Sequence, residues 1–529
     1  MFFKKYLVRF SQLLLLFTIY LLGNLEQTYL ALDRNPVFTE INKIYSSNLL
    51  GAPVYDFSEN LNTEPFSGLR SMTRFFTEFA YYNNSDYREY KNRSSTQIQR
   101  TDDLQYFATS FLHIDLYAKP NLNTYFQSSL STIIFFGATD YKSPSETSMI
   151  LFEELFVNYR ATPNFSWLIG RFHFQIHENG TNYLFYDYCN GVSLILYPLP
   201  DLRLRLLVFD VLAADKAYGQ APLYLSRVPS STIPANFNGD TKAIRTGAVF
   251  DSPPIKLGGK VPWYISAFLF FVKYGGVEGG TERSGLGAYG NLTDGDYLLF
   301  YGTHQKVVLG DFTLITEAAG STGLDRKIYG FGGFKKDVYA NGFFVMLNVS
   351  SPLYFKTVPR SAWSLSFVYT SGADIDRYGR KKSYGFASTS GEPIGGILTG
   401  RFKGYNAGTI AGREGFHHNP YEPDRASGLY YLKQHFEMEW KNTLVDWSNH
   451  YFIDATESFH SMDKKYNYNK TIGFESNLKI LVALNKNLSI SLVSGIFLPG
   501  KFLRYKRYTH LPAGKNSFYG FSFGTYLRF

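Results

Sequence analysis

Hydrophobic and polar residues alternate with a period of two along most of the chain beyond residue 69. The pattern is clearest at residues 517–529, where aromatic or apolar side chains occupy nearly every second position counted back from the C-terminus. Glycine and polar residues fill most of the positions between them. Such alternation predicts a β-strand with one apolar face. A free edge strand of this kind would aggregate in water, whereas in a closed barrel it has two neighbours and its apolar face lies in lipid.

The end of this last strand also predicts how the barrel is inserted. A terminal Phe with an apolar residue two places before it resembles the signal that marks bacterial outer-membrane barrels for insertion. We therefore expect the barrel-assembly machinery to take up the chain through its C-terminal strand. The predicted signal consists of Tyr519, Phe521, Phe523, Leu527 and Phe529. The alternative interpretation of this stretch is an edge strand of a soluble β-sandwich.

Alternating segments predict about 18 strands, with 16 as the alternative count. Short predicted turns, one of them near His304, alternate with long predicted loops such as residues 371–428. Short turns and long loops follow one another strictly only if residues 328–334 belong to a loop or a strand extension and do not form a separate strand. In the regular segment 471–484, Ile472 and Ile480 are predicted to face outward. The predicted fold is all-β: a transmembrane antiparallel β-barrel of the bacterial outer membrane, with short periplasmic turns and long extracellular loops.

The start of the chain predicts export. Lys4, Lys5 and Arg9 precede an apolar core over residues 13–22, which has the length of a signal-peptide core. We predict a signal peptide over residues 1–31, with the cleavage site after Gly23 or after Ala31. A periplasmic lead-in or plug segment is predicted over residues 32–68, and the transmembrane β-barrel over residues 69–529.

Composition narrows the class of protein. The chain of 529 residues is 18% aromatic, yet its mean hydropathy is only −0.17. A helical membrane protein would contain several apolar runs of about 20 residues, whereas a barrel combines an apolar wall with a wet lumen. The net charge is +9, but the basic residues are scattered, so nucleic acid is not a predicted partner. The single Cys189 leaves no intrachain disulfide.

A barrel of this size encloses an aqueous channel, so the inward residues carry its function. Charged residues are predicted to face inward, because an Arg at the lipid midplane costs about 2–4 kcal/mol. The predicted lumen-lining, substrate-binding residues are Arg70, Arg74, Glu78, Glu154, Arg171, His173, Gln175, Arg203, Arg205, Glu317, Lys433, Glu475 and Lys479.

The mixture of charges among these residues leans basic and leaves two interpretations open. In the first, opposite charges neutralise one another and keep the lumen wet and stiff. In the second, a basic track attracts anionic solutes. For the second interpretation, Arg171, His173, Arg203 and Arg205 are predicted to form one basic patch, because their strands are near neighbours in the chain.

Two blocks of sequence carry a resemblance to a known family. Residues 152–174 read FEELFVNYRATPNFSWLIGRFHF, and residues 187–198 read DYCNGVSLILYP. Together with residues 338–376, they resemble the alginate-export type of outer-membrane porin. That resemblance implies an 18-stranded barrel whose Arg- and Lys-lined lumen passes an acidic polysaccharide, with Glu154 and Arg171 facing the lumen. The chain departs from the family at Phe172, where Gln is common, and at Asn190, where Asp is usual.

The predicted function is that of a porin-like channel in the outer membrane. It would pass hydrophilic, anionic or saccharide-type solutes passively, with outer-membrane lipid around it and its state as monomer or trimer left open. The alternative is a surface-exposed barrel that acts as an adhesin or ligand-binding protein through its long loops, especially residues 371–428. No metal site and no cofactor are predicted, because the pairs His173/His177 and His417/His418 lack a third placed ligand. No Gly-x-Ser-x-Gly motif is present, and an enzyme is not expected.

Overall fold

A computed structural model describes the barrel and parts of its connections. The described residues are 64–83, 104–138, 148–176, 183–184, 186–199, 201–210, 243–274, 297–329, 334–339, 341–355, 360–372, 374–375, 381–383, 385–386, 394–399, 428–455, 470–500 and 517–529. The predicted signal peptide and nearly all of the predicted lead-in lie outside these ranges. No helix within them is long and apolar enough to cross a membrane.

The described elements are strands. In chain order they are β1 (Phe66–Asn83), β2 (Leu104–Asn121), β3 (Thr124–Ala138), β4 (Ser148–Thr162), β5 (Phe165–Gln175), β6 (Tyr186–Leu199), β7 (Leu202–Asp210), β8 (Ala243–Asp251), β9 (Ile255–Leu257), β10 (Val261–Tyr274), β11 (Tyr297–Leu309), β12 (Phe312–Tyr329), β13 (Phe334–Tyr339), β14 (Gly342–Pro352), β15 (Arg360–Thr370), β16 (Asp374–Ile375), β17 (Lys381–Ser383), β18 (Leu429–Trp440), β19 (Thr443–Asp454), β20 (Thr471–Ala483), β21 (Leu488–Pro499) and β22 (Phe518–Arg528).

Pairing between the first and last strands closes the sheet. β1 is antiparallel to both β2 and β22. The main chains of Thr73 and Phe529 exchange hydrogen bonds of 2.9 and 3.3 Å next to this pairing. Eighteen strands form the wall, since β9 and β13 extend β8 and β14, and β16 and β17 belong to the long connection after β15. The predicted all-β antiparallel barrel of about 18 strands is therefore confirmed.

The alternating pattern separates an outer and an inner face of the wall. On β22, Phe521 and Phe523 are 51% and 42% exposed, whereas Ser522 is 1% exposed. The same separation occurs on β10, where Leu269 is exposed and Phe268 is buried. Exposed aromatic and aliphatic side chains on a closed wall form the lipid-facing surface of a transmembrane barrel. Uptake of β22 by an assembly machinery stays a prediction.

Connections test the predicted turns. Residues 328 and 329 end β12 and residue 334 begins β13, so the described part of this segment agrees with the loop or strand extension expected there; residues 330–333 lie outside the described ranges. The turn predicted near His304 is wrong: β11 continues through this residue to Leu309, and the chain turns at Gly310, which has a φ of 60°. His304 looked like a turn residue because it is polar, but its ring hydrogen-bonds Glu317 on β12 at 3.0 Å.

The predicted outward position of Ile472 is also wrong. The pairing of β19 with β20 shifts between Phe452 and Ile453, so Ile472 has no direct partner on β19. Such a bulge changes which face a side chain occupies. Ile472 is fully buried in the inner apolar cluster, whereas Leu478 farther along β20 is 39% exposed.

Candidate functional site

The enclosed face of the wall, the lumen, changes character along the barrel. We call the half beside the short turns the short-turn half and the half beside the long connections the long-loop half. Buried polar side chains of the short-turn half include Asn158, Ser166, Ser193, Lys479, Ser489 and Ser491. Buried apolar side chains of the long-loop half include Phe174, Phe209, Phe270, Phe300, Phe344, Tyr431, Phe452, Phe497 and Phe518. Buried aromatic side chains are therefore concentrated in the long-loop half, although charged side chains such as Glu475 are buried there as well.

A connected polar network crosses the first four strands. Asp115 accepts from Arg74 at 2.8 Å, and its other oxygen lies 2.7 Å from His113 Nε2. The Ser129 hydroxyl lies 2.6 Å from Asp115 and 3.2 Å from Glu154. These hydrogen bonds and ion pairs connect cationic, anionic and neutral side chains. The charged side chains of this network therefore have partners on neighbouring strands.

Arg203 and Arg205 share one carboxylate. Asp251 on β8 lies 3.0 Å from Arg203 and 3.4 Å from Arg205. Arg205 also donates to the main-chain carbonyls of Gln175 and Ile176, at 3.3 and 2.6 Å. Asp251 opposes the positive charge of both arginines, so this part of the lumen has the neutralising arrangement rather than a purely basic patch.

The β5–β6 hairpin departs from the wall at two facing glycines. Gly170 and Gly191 are direct partners, and a Cβ on either would lie 2.2 Å from a main-chain oxygen of the neighbouring strand. Beyond them, β5 stays paired with β6 up to Gln175, but its pairing with β4 ends at Arg171. Only glycine fits where the neighbouring backbones approach this closely.

The end of this hairpin folds into the lumen. The main-chain N–H of His173 donates to Glu154 at 3.2 Å, from which it is separated by 19 residues. The Phe174 ring lies 5.6 Å from Phe209 and 6.0 Å from Phe270, measured between ring centroids. Phe270 belongs to β10, which is not a neighbour of β5 in the sheet. The hairpin thus crosses part of the enclosed space and narrows it.

This geometry changes the position predicted for Arg171. In the strand pairing, Arg171 lies opposite Leu155, which is 59% exposed on the outer face. Directly opposed residues share a face, so Arg171 lies on the outer face rather than in the lumen. The prediction failed because polar residues were assumed to face inward, whereas the inner positions of β5 include Leu168 and Phe172.

His173 and Gln175 lie on the part of β5 that folds inward. Phe172, His173, Phe174 and Gln175 are all buried, so both faces of the strand are covered. The alternation of faces along β5 therefore does not show that His173 and Gln175 face an open lumen. The four-residue basic patch predicted from Arg171, His173, Arg203 and Arg205 is not assembled.

A second segment enters the lumen from the long connection between β15 and β18. The carboxylate of Glu475 accepts main-chain N–H groups from Leu398 at 2.7 Å and Thr399 at 2.9 Å, and the Thr399 hydroxyl also donates to it. Phe386 of the same connection packs 5.9 Å from Phe300 and 5.7 Å from Phe344. The hydrogen bonds from Leu398 and Thr399 to Glu475 hold residues 394–399, the latch segment, against the inner wall.

The remaining predicted residues occupy different parts of the lumen. Arg70 is exposed at the short-turn end, with its guanidinium 3.9 Å from the Phe66 ring. Glu78 is fully buried beside β22, Lys433 is partly buried on β18, and Glu317 pairs with His304.

Sequence reasoning missed the residues that complete the ion pairs. Asp251 is the last residue of β8 and was not among the predicted lumen-lining residues. Asp446 on β19 lies 2.9 Å from Lys479 and 3.0 Å from His435. His435 is two residues from Lys433 on the same strand, so alternation could have predicted that His435 also faces the lumen. No sequence pattern, however, indicates that His435 contacts Asp446 on β19.

A closed 18-stranded wall with an apolar outer face and buried charged groups on its inner face defines a class of protein. The protein is a transmembrane β-barrel of the bacterial outer membrane, because a closed barrel satisfies every strand edge and exposes apolar side chains to lipid.

Comparisons with solved structures give distant similarities. Pseudomonas aeruginosa OccK9 (OpdG) aligns with 9% identity and a TM-score of 0.46, over 88% of this chain and 100% of that one. Pseudomonas aeruginosa OpdK, crystallised with vanillate, aligns with 10% identity and a TM-score of 0.44, over 87% and 98%. Pseudomonas putida OprB aligns with 8% identity and a TM-score of 0.40, over 89% and 96%. No protein-family model and no curated protein matches the chain. The similarities are too distant to assign a family or a solute.

Proposed function

We propose that the protein is a channel for hydrophilic solutes, with anionic or saccharide-type solutes as its cargo. The observation that carries this proposal is the polar, charged inner wall of the short-turn half inside a closed barrel. Charged groups on that face are stable when hydrated or paired. The β5–β6 hairpin and the latch segment narrow the long-loop half, so passage would be selective rather than free.

Two cargo classes remain within this proposal. Arg203 and Arg205 favour anions, but Asp251 opposes them at 3.0 and 3.4 Å. Polar side chains and aromatic rings along the lumen suit sugars, which combine hydroxyl groups with apolar ring faces. The resemblance to alginate-export porins would join both classes in an acidic polysaccharide. Such a polymer would have to thread past the inward-folded hairpin.

Reversal potentials across planar bilayers test the anion preference. Replacing Arg203 and Arg205 with Gln should shift selectivity toward cations, and Asp251→Asn should shift it toward anions. A unit charge about 6 Å from the ion path in water contributes about 0.7 kcal/mol, or about threefold in the permeability ratio. Arg171→Gln is the matched control and should change nothing, because Arg171 lies on the outer face. Unchanged selectivity in the first two variants would contradict a role for these charges.

Liposome uptake separates the cargo classes. A neutral hexose, a hexuronate and an oligo-uronate would be compared at equal concentration and low salt. An anion channel should pass the hexuronate faster than the hexose, whereas a saccharide channel should pass both. Entry of the oligo-uronate would support an acidic polysaccharide. Exclusion of every sugar would overturn the saccharide proposal.

The adhesin alternative is less favoured by these contacts. Leu398 and Thr399, from the long loop that was expected to display a ligand-binding surface, are bonded to Glu475 inside the barrel. This part of the loop is therefore bound to the inner wall of the barrel and is not displayed as an external binding surface.

A further inference from the structure

We propose that His435, Glu437 and Asp446 form a binding site for a divalent transition-metal ion, with Zn²⁺ as the probe that defines it. One ligand atom from each residue lies within 4.8 Å of the other two. All three residues are partly buried. This site is independent of the proposed transport function, because it can be measured by binding alone.

Strand geometry brings the three residues together. His435 and Glu437 are two positions apart on β18 and therefore share its inner face. Asp446 is the direct partner of Glu437 on β19. The backbone ladder thus fixes the three side-chain origins, and only rotations of the side chains are needed to converge on an ion.

One distance in the cluster is close to that between two ligands of a coordinated ion, and the other two are no longer than 4.8 Å. Zn–N and Zn–O bonds of about 2.0–2.2 Å at tetrahedral angles separate neighbouring ligand atoms by about 3.4 Å. His435 Nε2 and Asp446 Oδ1 already lie 3.0 Å apart. An imidazole with two carboxylates is a ligand set that Zn²⁺ accepts, and three protein ligands leave a fourth position for water.

Lys479 occupies the place of a cation in the present arrangement. Its ammonium lies 2.9 Å from Asp446 Oδ2, and Lys479 is the direct partner of Asp446 on β20. A metal ion must displace this ammonium or bind against its positive charge. Because this ammonium competes with the metal ion for Asp446, removing the Lys479 side chain should strengthen metal binding.

Isothermal titration of the purified full-length protein with Zn²⁺ tests the site. The wild type should bind one ion in this site, and His435→Ala and Glu437→Gln should each weaken that binding at least about tenfold. Lys479→Met should tighten it about tenfold or more, because a unit positive charge near the ion is removed. Circular dichroism would establish that each variant retains its β structure.

His304→Ala is the matched control. His304 pairs with Glu317 at 3.0 Å in the lumen but belongs to no cluster of three such ligands in the described part of the chain. Its removal should leave Zn²⁺ affinity unchanged. Substituting Co²⁺ should give the visible spectrum of a tetrahedral site in the wild type and not in His435→Ala. Absent binding in the wild type, equal binding in His435→Ala, or no tightening in Lys479→Met would overturn the proposal.

Discussion

Single buried charges in this barrel are held by specific partners on other strands. Arg74 meets Asp115, and Lys479 meets Asp446, at 2.8 and 2.9 Å. Removing one partner of such a pair leaves a charge that is costly to bury. Glu475 differs from these residues because its described partners include N–H groups of the latch segment rather than a cation. A substitution at Glu475 should therefore act on the latch segment.

Glu475→Ala should release the latch segment. Each buried N–H group left without an acceptor costs about 1–3 kcal/mol, which favours a displaced segment by tenfold or more. A cysteine at Ile397, in a Cys189→Ser background, should then react at least about tenfold faster with a water-soluble thiol reagent. Glu475→Gln should have a smaller effect, because Gln keeps one acceptor oxygen. Glu317→Ala is the control and should leave the rate unchanged. Equal rates in all variants would show that Glu475 does not hold the segment.

At the scale of elements, period-two alternation explains most of the strands. It predicted the outer face of β22 and the even number of strands, because one face of each wall strand meets lipid. It failed at Ile472, where a bulge reverses the facing, and at Arg171, beside the hairpin that leaves the wall. Alternation reports which face is apolar. It cannot report that protein rather than water fills the space on the other side.

Cysteine labelling along β20 tests this facing. In the Cys189→Ser background, cysteines at Leu478 and Ile480 should react with lipid-soluble thiol reagents, whereas cysteines at Asn477 and Lys479 should not, because these two positions are buried on the inner face. A cysteine at Ile472 should not react with the lipid-soluble reagent, because this position is fully buried in the inner cluster. Reaction at Ile472 equal to that at Ile480 would restore the simple alternation and contradict the bulge.

At the scale of the whole molecule, the barrel combines a rigid wall with protein segments inside it. The wall could be predicted from sequence, because lipid and hydrogen-bond closure impose a repeated pattern on each strand. The lumen could not, because its contacts join residues far apart in the chain, such as Glu475 with Leu398 and Arg205 with Ile176. The proposed transport would depend on how far these segments close the lumen.

Single-channel recording of the purified protein in planar bilayers tests the channel most directly. The wild type should give discrete conductance steps, because the short-turn half is polar and the inner segments narrow the lumen. Glu475→Ala should give larger or longer-lived steps, because release of the latch segment widens the path. If neither protein conducts above the bare bilayer while both retain their β structure, the barrel is not a channel.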